Sequence, residues 1–358
     1  MRNAEGLIAT MSRIEPPLTA AIIVDPNRAL HAMERTSPQR AHALRRIAIE
    51  SPHIQTIGDD PEAGSKIITE ASDAFTEIGR SGTTGTLTEG QKISAEAVIM
   101  LFGRPAIQFN KGQLQEIPDE WKQRLKPHRT AIQRIAKSVG RIEPAALPGI
   151  PYLGTGFMVG PDTIMTNRHV ANFIAGRSGE KWTIKTFTKP RMDFRAETTD
   201  SEPAEFSVVD VISMSDDDSI DLALLKVEAT THKLPPPVPL ATSYKPKPGS
   251  SVYVVGHPQF DDTADQAQRD IQRLVFEDVF DVKRVAPGYL LKTETGNLAY
   301  DSSTLGGNSG SCVVDLATQR VVGLHFGGTY LEANYAVPLW KMRRRKIVSR
   351  FGLNFVTD

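Results

Sequence analysis

The stretch Ser303-Thr304-Leu305-Gly306-Gly307-Asn308-Ser309-Gly310-Ser311-Cys312-Val313-Val314 delivers one serine from a glycine-rich turn into an apolar run. Such a turn suits nucleophilic chemistry. A serine hydroxyl attacks only when a base removes its proton, and acyl transfer needs backbone N–H donors facing the developing oxyanion. Glycines beside the serine let the backbone turn those donors inward, because Gly takes positive φ at little cost. A hairpin connection without chemistry has the same local composition, so the turn requires partners. Two lie upstream. His169 follows Ile164-Met165-Thr166-Asn167-Arg168, at the end of an apolar hairpin that begins with Gly154-Thr155-Gly156-Phe157-Met158-Val159-Gly160. Asp221 heads the strand-like run Leu222-Ala223-Leu224-Leu225-Lys226-Val227. Asp216, Asp217 and Asp218 compete for the same role, but Asp221 directly abuts the apolar run, and a carboxylate anchored by a buried strand can hold an imidazole. The other three read as solvated turn residues.

Thr-Asn-Arg-His-Val, Asp-Leu-Ala-Leu-Leu and Gly-Gly-Asn-Ser-Gly-Ser, in this order, resemble the three signature blocks of the chymotrypsin-like serine peptidases. The resemblance implies an all-β double β-barrel, two six-stranded barrels over roughly residues 150–342 with the active site in their cleft. It also implies roles: Ser309 as nucleophile, His169 as general base and acid, Asp221 as the group orienting the imidazole, and the N–H groups of Gly307 and Ser309 as oxyanion hole. Trypsin-like members carry an aspartate six residues before the serine. Here that position is Ser303, so no preference for Lys or Arg is implied. Thr304 and His325, the latter in Gly323-Leu324-His325-Phe326-Gly327-Gly328, instead resemble the glutamyl endopeptidases, with Phe326 and Gly327 on the strand that borders the pocket. The implied cleavage is after Glu, with Asp or Gln as alternatives, since hydroxyl and imidazole can both donate to a carboxylate. That family also uses a free N-terminal amine near the pocket, whereas residues 1–145 precede this domain. Either the third contact is absent, or cleavage within residues 139–148 creates a new terminus; Glu143 lies there, but Pro144 follows it and would obstruct a cut.

The elements that must position these groups divide at about residue 145. Residues 1–145 read as a mainly α-helical regulatory or targeting region with a possible break at 79–92. Ser37-Pro38 opens one helix with Ala41, Leu44, Ile47 and Ala48 at helical spacing, and a second runs from about Pro61 to Ile78 with Ile67, Ile68, Ala71, Phe75 and Ile78 on one face. Gly79 to Gly90 is small and polar, as a linker or exposed loop would be. The apolar run Ala97 to Phe102 is ambiguous between helix and strand. A helical stretch opening at Pro118 and restarting at Pro127 has Ile132, Ile135 and Val139 as its stripe and is expected to pack on the protease domain. From about Ile150, short strands alternate with Gly, Pro and Asp turns. A first lobe spans Gly154 to about Leu240, a proline-rich connection covers Leu234 to Pro239, and a second lobe begins near Ser250 with Val252-Tyr253-Val254-Val255-Gly256-His257-Pro258. Arg343 to Lys346 reads as a solvated basic helix face.

The 358 residues and 40% apolar content suffice for two packed domains, and Lys+Arg and Asp+Glu both total 42. A net charge of zero gives no global reason to expect nucleic acid or an anionic membrane as partner. The single cysteine, Cys312, excludes an intramolecular disulfide framework and reads as a buried, inert thiol. Met1 to Val24 is a poor secretion signal, and no run approaches the roughly 18 apolar residues of a membrane span. Eight histidines show no paired metal-ligand spacing, so no metal and no cofactor is expected. The combined expectation is a cytoplasmic, bacterial-type serine endopeptidase that takes protein or peptide substrates. Its N-terminal region would control activity or bind a regulatory protein. The reading from a different class is a protease-fold scaffold without turnover.

Overall fold

The computed structural model describes residues 61–81, scattered positions from 87 to 98, and 103–357, apart from short gaps at 199–201, 230–231, 265–268, 270–271, 274, 292–295 and 330–332. The helix expected from Ser37 therefore lies outside the described residues, as do 82–86 of the polar stretch. The chain forms two compact units, residues 1–105 with 261–279, and residues 106–260 with 280–358. In the first, helix α1 (Pro61–Ser81) buries Ala71, Phe75 and Ile78 of the expected face together with Ala74, an i, i+3, i+4, i+7 stripe, while Ile67 and Ile68 of that face are half-buried. It runs on to Ser81, beyond the start of the polar stretch.

The second unit begins with the hairpin β1 (Ile107–Asn110) and β2 (Gln113–Leu114), joined by Lys111 and Gly112 with φ of 48° and 73°. Helices α2 (Asp119–Leu125) and α3 (Arg129–Ala136) follow, linked by one tight turn carrying Pro127. Trp121, Leu125, Ile132 and Ile135 share one apolar core with Phe157, Met165, Leu224, Tyr253, Val255 and Cys312, so these helices do pack on the β domain. Val139, expected as the last residue of the helical stripe, instead opens strand β3 (Val139–Pro144). Its burial is as expected, but it belongs to the next element: the helix has ended at Ala136, and Gly140 allows β3 to approach the Asp193 carbonyl, which any Cβ there would strike. Because β1 pairs with a strand at Arg284 and Val285, the compact β unit reaches back to Ala106, upstream of the division expected at 145.

The remaining elements are β4 (Gly154–Met158), β5 (Thr163–Thr166), α4 (Arg168–Ile174), the hairpin β6 (Ala175–Ser178) and β7 (Lys181–Ile184), β8 (Pro190–Asp193), β9 (Glu205–Met214) and β10 (Ala223–Glu228). Strands β3, β4, β5, β10, β9 and β8 close a six-stranded barrel. Closure leaves no strand edge unpaired, and β4 and β5 are buried at every position. Then come β11 (Leu240–Ala241), β12 (Ser251–Gly256), β13 (Arg284–Tyr289), β14 (Leu298–Tyr300), β15 (Cys312–Asp315), β16 (Arg320–Thr329), β17 (Ala333–Pro338), short helices α5 (Leu339–Met342) and α6 (Lys346–Ser349), and β18 (Phe355–Val356). Their sheet runs β14-β17-β16-β15-β12-β13, with β1 and β2 extending it beyond β13. A bridge between Leu290 and Tyr300 returns β13 to β14, with Leu291 N–H on the Ala299 carbonyl at 2.8 Å. This closes a second ring of six strands around Val252, Val254, Leu298, Val313, Val322 and Ala336.

Candidate active site

Strands β5 and β10 are antiparallel neighbours with Ala223 opposite Thr166. The residues just after β5 and just before β10 therefore meet at one end of the first barrel. His169 sits there in the first turn of α4, and Asp221 in the approach to β10. Asp221 Oδ2 is 2.6 Å from His169 Nδ1, and Asp221 Oδ1 accepts the His169 backbone N–H at 3.0 Å. The buried Asn167 donates its amide to the Asp221 carbonyl at 3.0 Å. Burial pushes the Asp221 carboxyl up, but the hydrogen bonds and charge of His169 outweigh it and hold the group below the usual aspartate range. The competing aspartates lie outside this contact: Asp216 pairs with Arg177, Asp218 with Arg168, and Asp217 accepts from Ser219.

Ser309 is delivered between β4 and β16. Its carbonyl accepts the Thr155 N–H at 2.7 Å, and the Gly310 N–H donates to the His325 carbonyl at 2.9 Å. Gly310 has φ of 88°, and any Cβ there would overlap the Thr155 carbonyl. Gly154 marks where the serine turn and the histidine helix converge, since a Cβ on it would lie 2.8 Å from both the Ser309 carbonyl and Val170 Cγ2. Ser309 is half-buried, and among the described residues its hydroxyl has no hydrogen-bond partner, His169 included.

Two anchored carbonyls orient the backbone around it. The Gly306 carbonyl accepts the Gln259 N–H at 2.7 Å, and the Asn308 carbonyl accepts the Ser311 N–H at 2.8 Å. In a planar trans peptide the N–H points opposite to the C=O. The N–H groups of Gly307 and Ser309 are thereby turned away from these anchors, and neither has a partner among the described residues. Gly307 has φ of 78°, and a Cβ there would strike the Tyr152 hydroxyl and the His257 carbonyl. Thr155 Oγ1 donates to the Gly307 carbonyl at 2.9 Å, and the Tyr152 hydroxyl to the His257 carbonyl at 2.9 Å. Sequence reasoning had not singled out Tyr152, Thr155, His257 or Gln259 for this role. Gly256-His257-Pro258 marked only the start of the second lobe, and nothing local in its composition signals that it braces a turn some fifty residues later. His257 is fully buried, and burial, followed by the charges of Lys283 and Arg141, drives its imidazole well below the usual range.

His325, Phe326 and Gly327 lie on β16, and Thr304 in the connection between β14 and β15. His325, only 2% exposed, is held by a side chain: the Tyr300 hydroxyl is 2.6 Å from its Nδ1. Burial, with a smaller push from His169, lowers its pKa to about 3, so its ring is neutral. Thr304 Oγ1 donates to Asn334 Oδ1, and Asn334 Nδ2 to the Ser302 carbonyl at 2.6 Å. Phe326 stacks on Tyr335 at 6.4 Å between ring centres, and Gly327 faces open space. Beyond His325, whose N–H and carbonyl still bond Ser311 and Gly310, β16 has among the described residues no strand partner on the β15 side, an edge to which an extended peptide can add. Tyr300 and Asn334 also escaped sequence reasoning, being strand residues of ordinary type.

The alternative of a cut within residues 139–148 meets, at Glu143, an obstacle besides Pro144. Glu143 is 4% exposed within β3, and its carboxylate is gripped by Arg141 at 2.6 Å and Arg191 at 2.8 Å. Cleavage there would open the first barrel.

Comparison with known proteins matches residues 154–324 to a family model described as Trypsin-like peptidase domain. A protein of Lysobacter enzymogenes described as "Probable serine protease" is 27% identical over 329 residues, covering 82% of this chain and 84% of its own. A glutamyl endopeptidase of Staphylococcus epidermidis is 26% identical over 189 residues, and the match spans 51% of this chain and 57% of that one. Among solved structures, a serine endoprotease from Yersinia pestis aligns with 22% identity and a TM-score of 0.41, covering 66% of this chain and 69% of its own.

Proposed function

Since residues 154–324 of this chain are a trypsin-like peptidase domain, we propose that the protein is a serine endopeptidase working through Ser309, His169 and Asp221. Ser309 Oγ attacks the peptide carbonyl while His169 Nε2 takes its proton. The acyl–enzyme forms when the tetrahedral intermediate collapses and His169 returns that proton to the leaving amine; water, activated by the same imidazole, then releases the acyl group. The observation that carries this reading is the double hold of Asp221 on His169, through Nδ1 and through the backbone N–H. It leaves Nε2 as the nitrogen available to Ser309. The free N–H groups of Gly307 and Ser309 suit the oxyanion, where one such donor is worth about 3 kcal/mol in the transition state.

The pocket reading is cleavage after a side chain that ends in a carboxyl or carboxamide group, the class that Glu, Asp and Gln share. Thr304 and His325 support it, with Phe326 and Gly327 carrying the peptide backbone. A peptide library tests it, and equal cleavage after Lys, Leu and Glu would refute it. Activity is further proposed to be controlled through the N-terminal region, in the cytoplasm, with a regulatory protein partner. Because residues 107–136 share the core of the β unit, the informative truncation starts near Ala106. Equal turnover of a short peptide by full-length protein and folded truncated protein would rule out autoinhibition.

The absent hydrogen bond between Ser309 and His169 favours one second reading, a protease-fold scaffold without turnover. Catalytic hydrogen bonds often form only with substrate bound, and covalent labelling by a fluorophosphonate separates the two readings.

A further inference from the structure

The hydrogen bonds behind the pocket decide which of its groups donate and which accept. Tyr300 is fully buried, and its hydroxyl has no acceptor among the described residues other than His325 Nδ1. If Nδ1 carried the proton, the tyrosine hydrogen would be orphaned in the core, at a cost of about 1–3 kcal/mol. The hydroxyl therefore donates to Nδ1, and the proton of the neutral ring resides on Nε2. Nε2–H is a donor, and among the described residues the ring's one hydrogen bond is that at Nδ1.

Thr304 is committed in the opposite sense. The Ser302 carbonyl can only accept, so it fixes the Asn334 amide with Nδ2 towards Ser302 and Oδ1 towards Thr304. The single hydroxyl proton of Thr304 is given to Oδ1. What Thr304 Oγ1 offers a ligand is a lone pair.

One donor and one acceptor, with no formal charge, match a primary carboxamide: its oxygen takes Nε2–H of His325, and its NH2 donates to Oγ1 of Thr304. A carboxylate in the same pose would set its second oxygen against the lone pairs of Oγ1. We infer that the pocket selects glutamine over glutamate as the residue before the scissile bond, with Tyr300 and Asn334 as the positioning residues that set this polarity. This rests on the proposed reading that Thr304 and His325 line that pocket.

The test uses the full-length protein and fluorogenic peptides that differ only at that residue: Gln, Glu, Asn, Leu and Lys. At neutral pH, kcat/KM for Gln should exceed that for Glu by at least about tenfold, the effect of one mispaired buried polar group. Glu cleaved as well as or better than Gln overturns the inference while leaving the carboxyl-or-carboxamide pocket standing. Leu or Lys cleaved as well as both overturns the pocket reading itself, and the inference with it. The ratio of Gln to Glu should shrink as the pH falls towards about 4.3, where the substrate glutamate protonates and gains a donor; a ratio that stays constant contradicts the inference. Asn334→Ala returns the Thr304 proton to the pocket and should move the ratio about tenfold towards Glu. Thr304→Val removes the acceptor and should bring the ratio near one. An unchanged ratio in either folded variant overturns the assigned polarity, whatever happens to overall rate.

Discussion

Asp221 grips His169 with both carboxylate oxygens, Oδ2 on the ring Nδ1 at 2.6 Å and Oδ1 on the backbone N–H at 3.0 Å. One contact fixes the tautomer and the other fixes where the helix that carries the ring begins. The pair thus links the chemistry of the base to the local fold of α4.

Replacing Asp221 with Asn should separate those two roles. An amide can still pair with the ring but does not stabilise the imidazolium, so kcat is expected to fall by about 10⁴-fold while KM changes little. Steady-state kinetics on one peptide, with a circular dichroism spectrum to confirm the fold, check this. A loss below tenfold would assign orientation of the base elsewhere.

The same carboxyl gives an acid dependence of stability. Its folded value lies below the unfolded one of about 3.9, so its contribution is complete above that value and is lost as the pH falls through the folded value. Denaturant midpoints measured below about pH 4 should therefore fall less steeply for Asp221→Asn than for the natural sequence. Parallel curves would show that the pair contributes nothing to stability.

Gly307→Ala is expected to disable the oxyanion donors without touching Ser309, His169 or Asp221. The new methyl meets the Tyr152 hydroxyl and the His257 carbonyl at φ of 78°, so the turn must shift. The expected loss is about 10²- to 10³-fold in kcat, the effect of one misplaced donor. Unchanged kcat in the folded variant would remove Gly307 from the oxyanion hole.

Lys283 should make stability rise with pH. It is fully buried, donates to the Phe194 carbonyl at 2.6 Å and lies 3.7 Å from Glu197, and burial lowers its pKa to about 8 against the pull of Glu197 and Asp193. Between about 8 and the unfolded value of about 10.4 the unfolded chain binds more protons, so stability increases across that window. Thermal midpoints at pH 8 and 10 should show the rise, and Lys283→Met should abolish it. A fall shared equally by both proteins would contradict the assignment.

Cys312 is sealed in the core, and burial raises its thiol to about 12. It should resist iodoacetamide in the native protein and react fully in denaturant, as read by intact mass. Rapid native labelling would show that β15 opens.

The proposed chemistry was legible in sequence where it depends on short blocks of fixed composition. His169, Asp221 and Ser309 each sit in such a block, and the short-strand pattern after Ile150 announced the barrels. The bracing of the serine turn was not legible, because Thr155 Oγ1 and the Gln259 N–H reach the Gly307 and Gly306 carbonyls across more than forty residues, and a carbonyl is a group that every residue type carries. The proposed pocket polarity was hidden for a related reason. Thr304 and His325 are visible as residue types, but whether each donates or accepts is set by Asn334 and Tyr300, which only the pairing of β14, β17 and β16 brings near. The end of α3 was misjudged at Val139 because an apolar residue at helical spacing also serves as the first residue of a strand.

The central claim is that Ser309 is the nucleophile, and covalent labelling tests it most directly. After exposure to a fluorophosphonate, peptide mass spectrometry should find one adduct per chain, on Ser309, and Ser309→Ala should carry none and cleave no peptide. An adduct on another residue, or proteolysis by Ser309→Ala at the natural rate, would contradict the account.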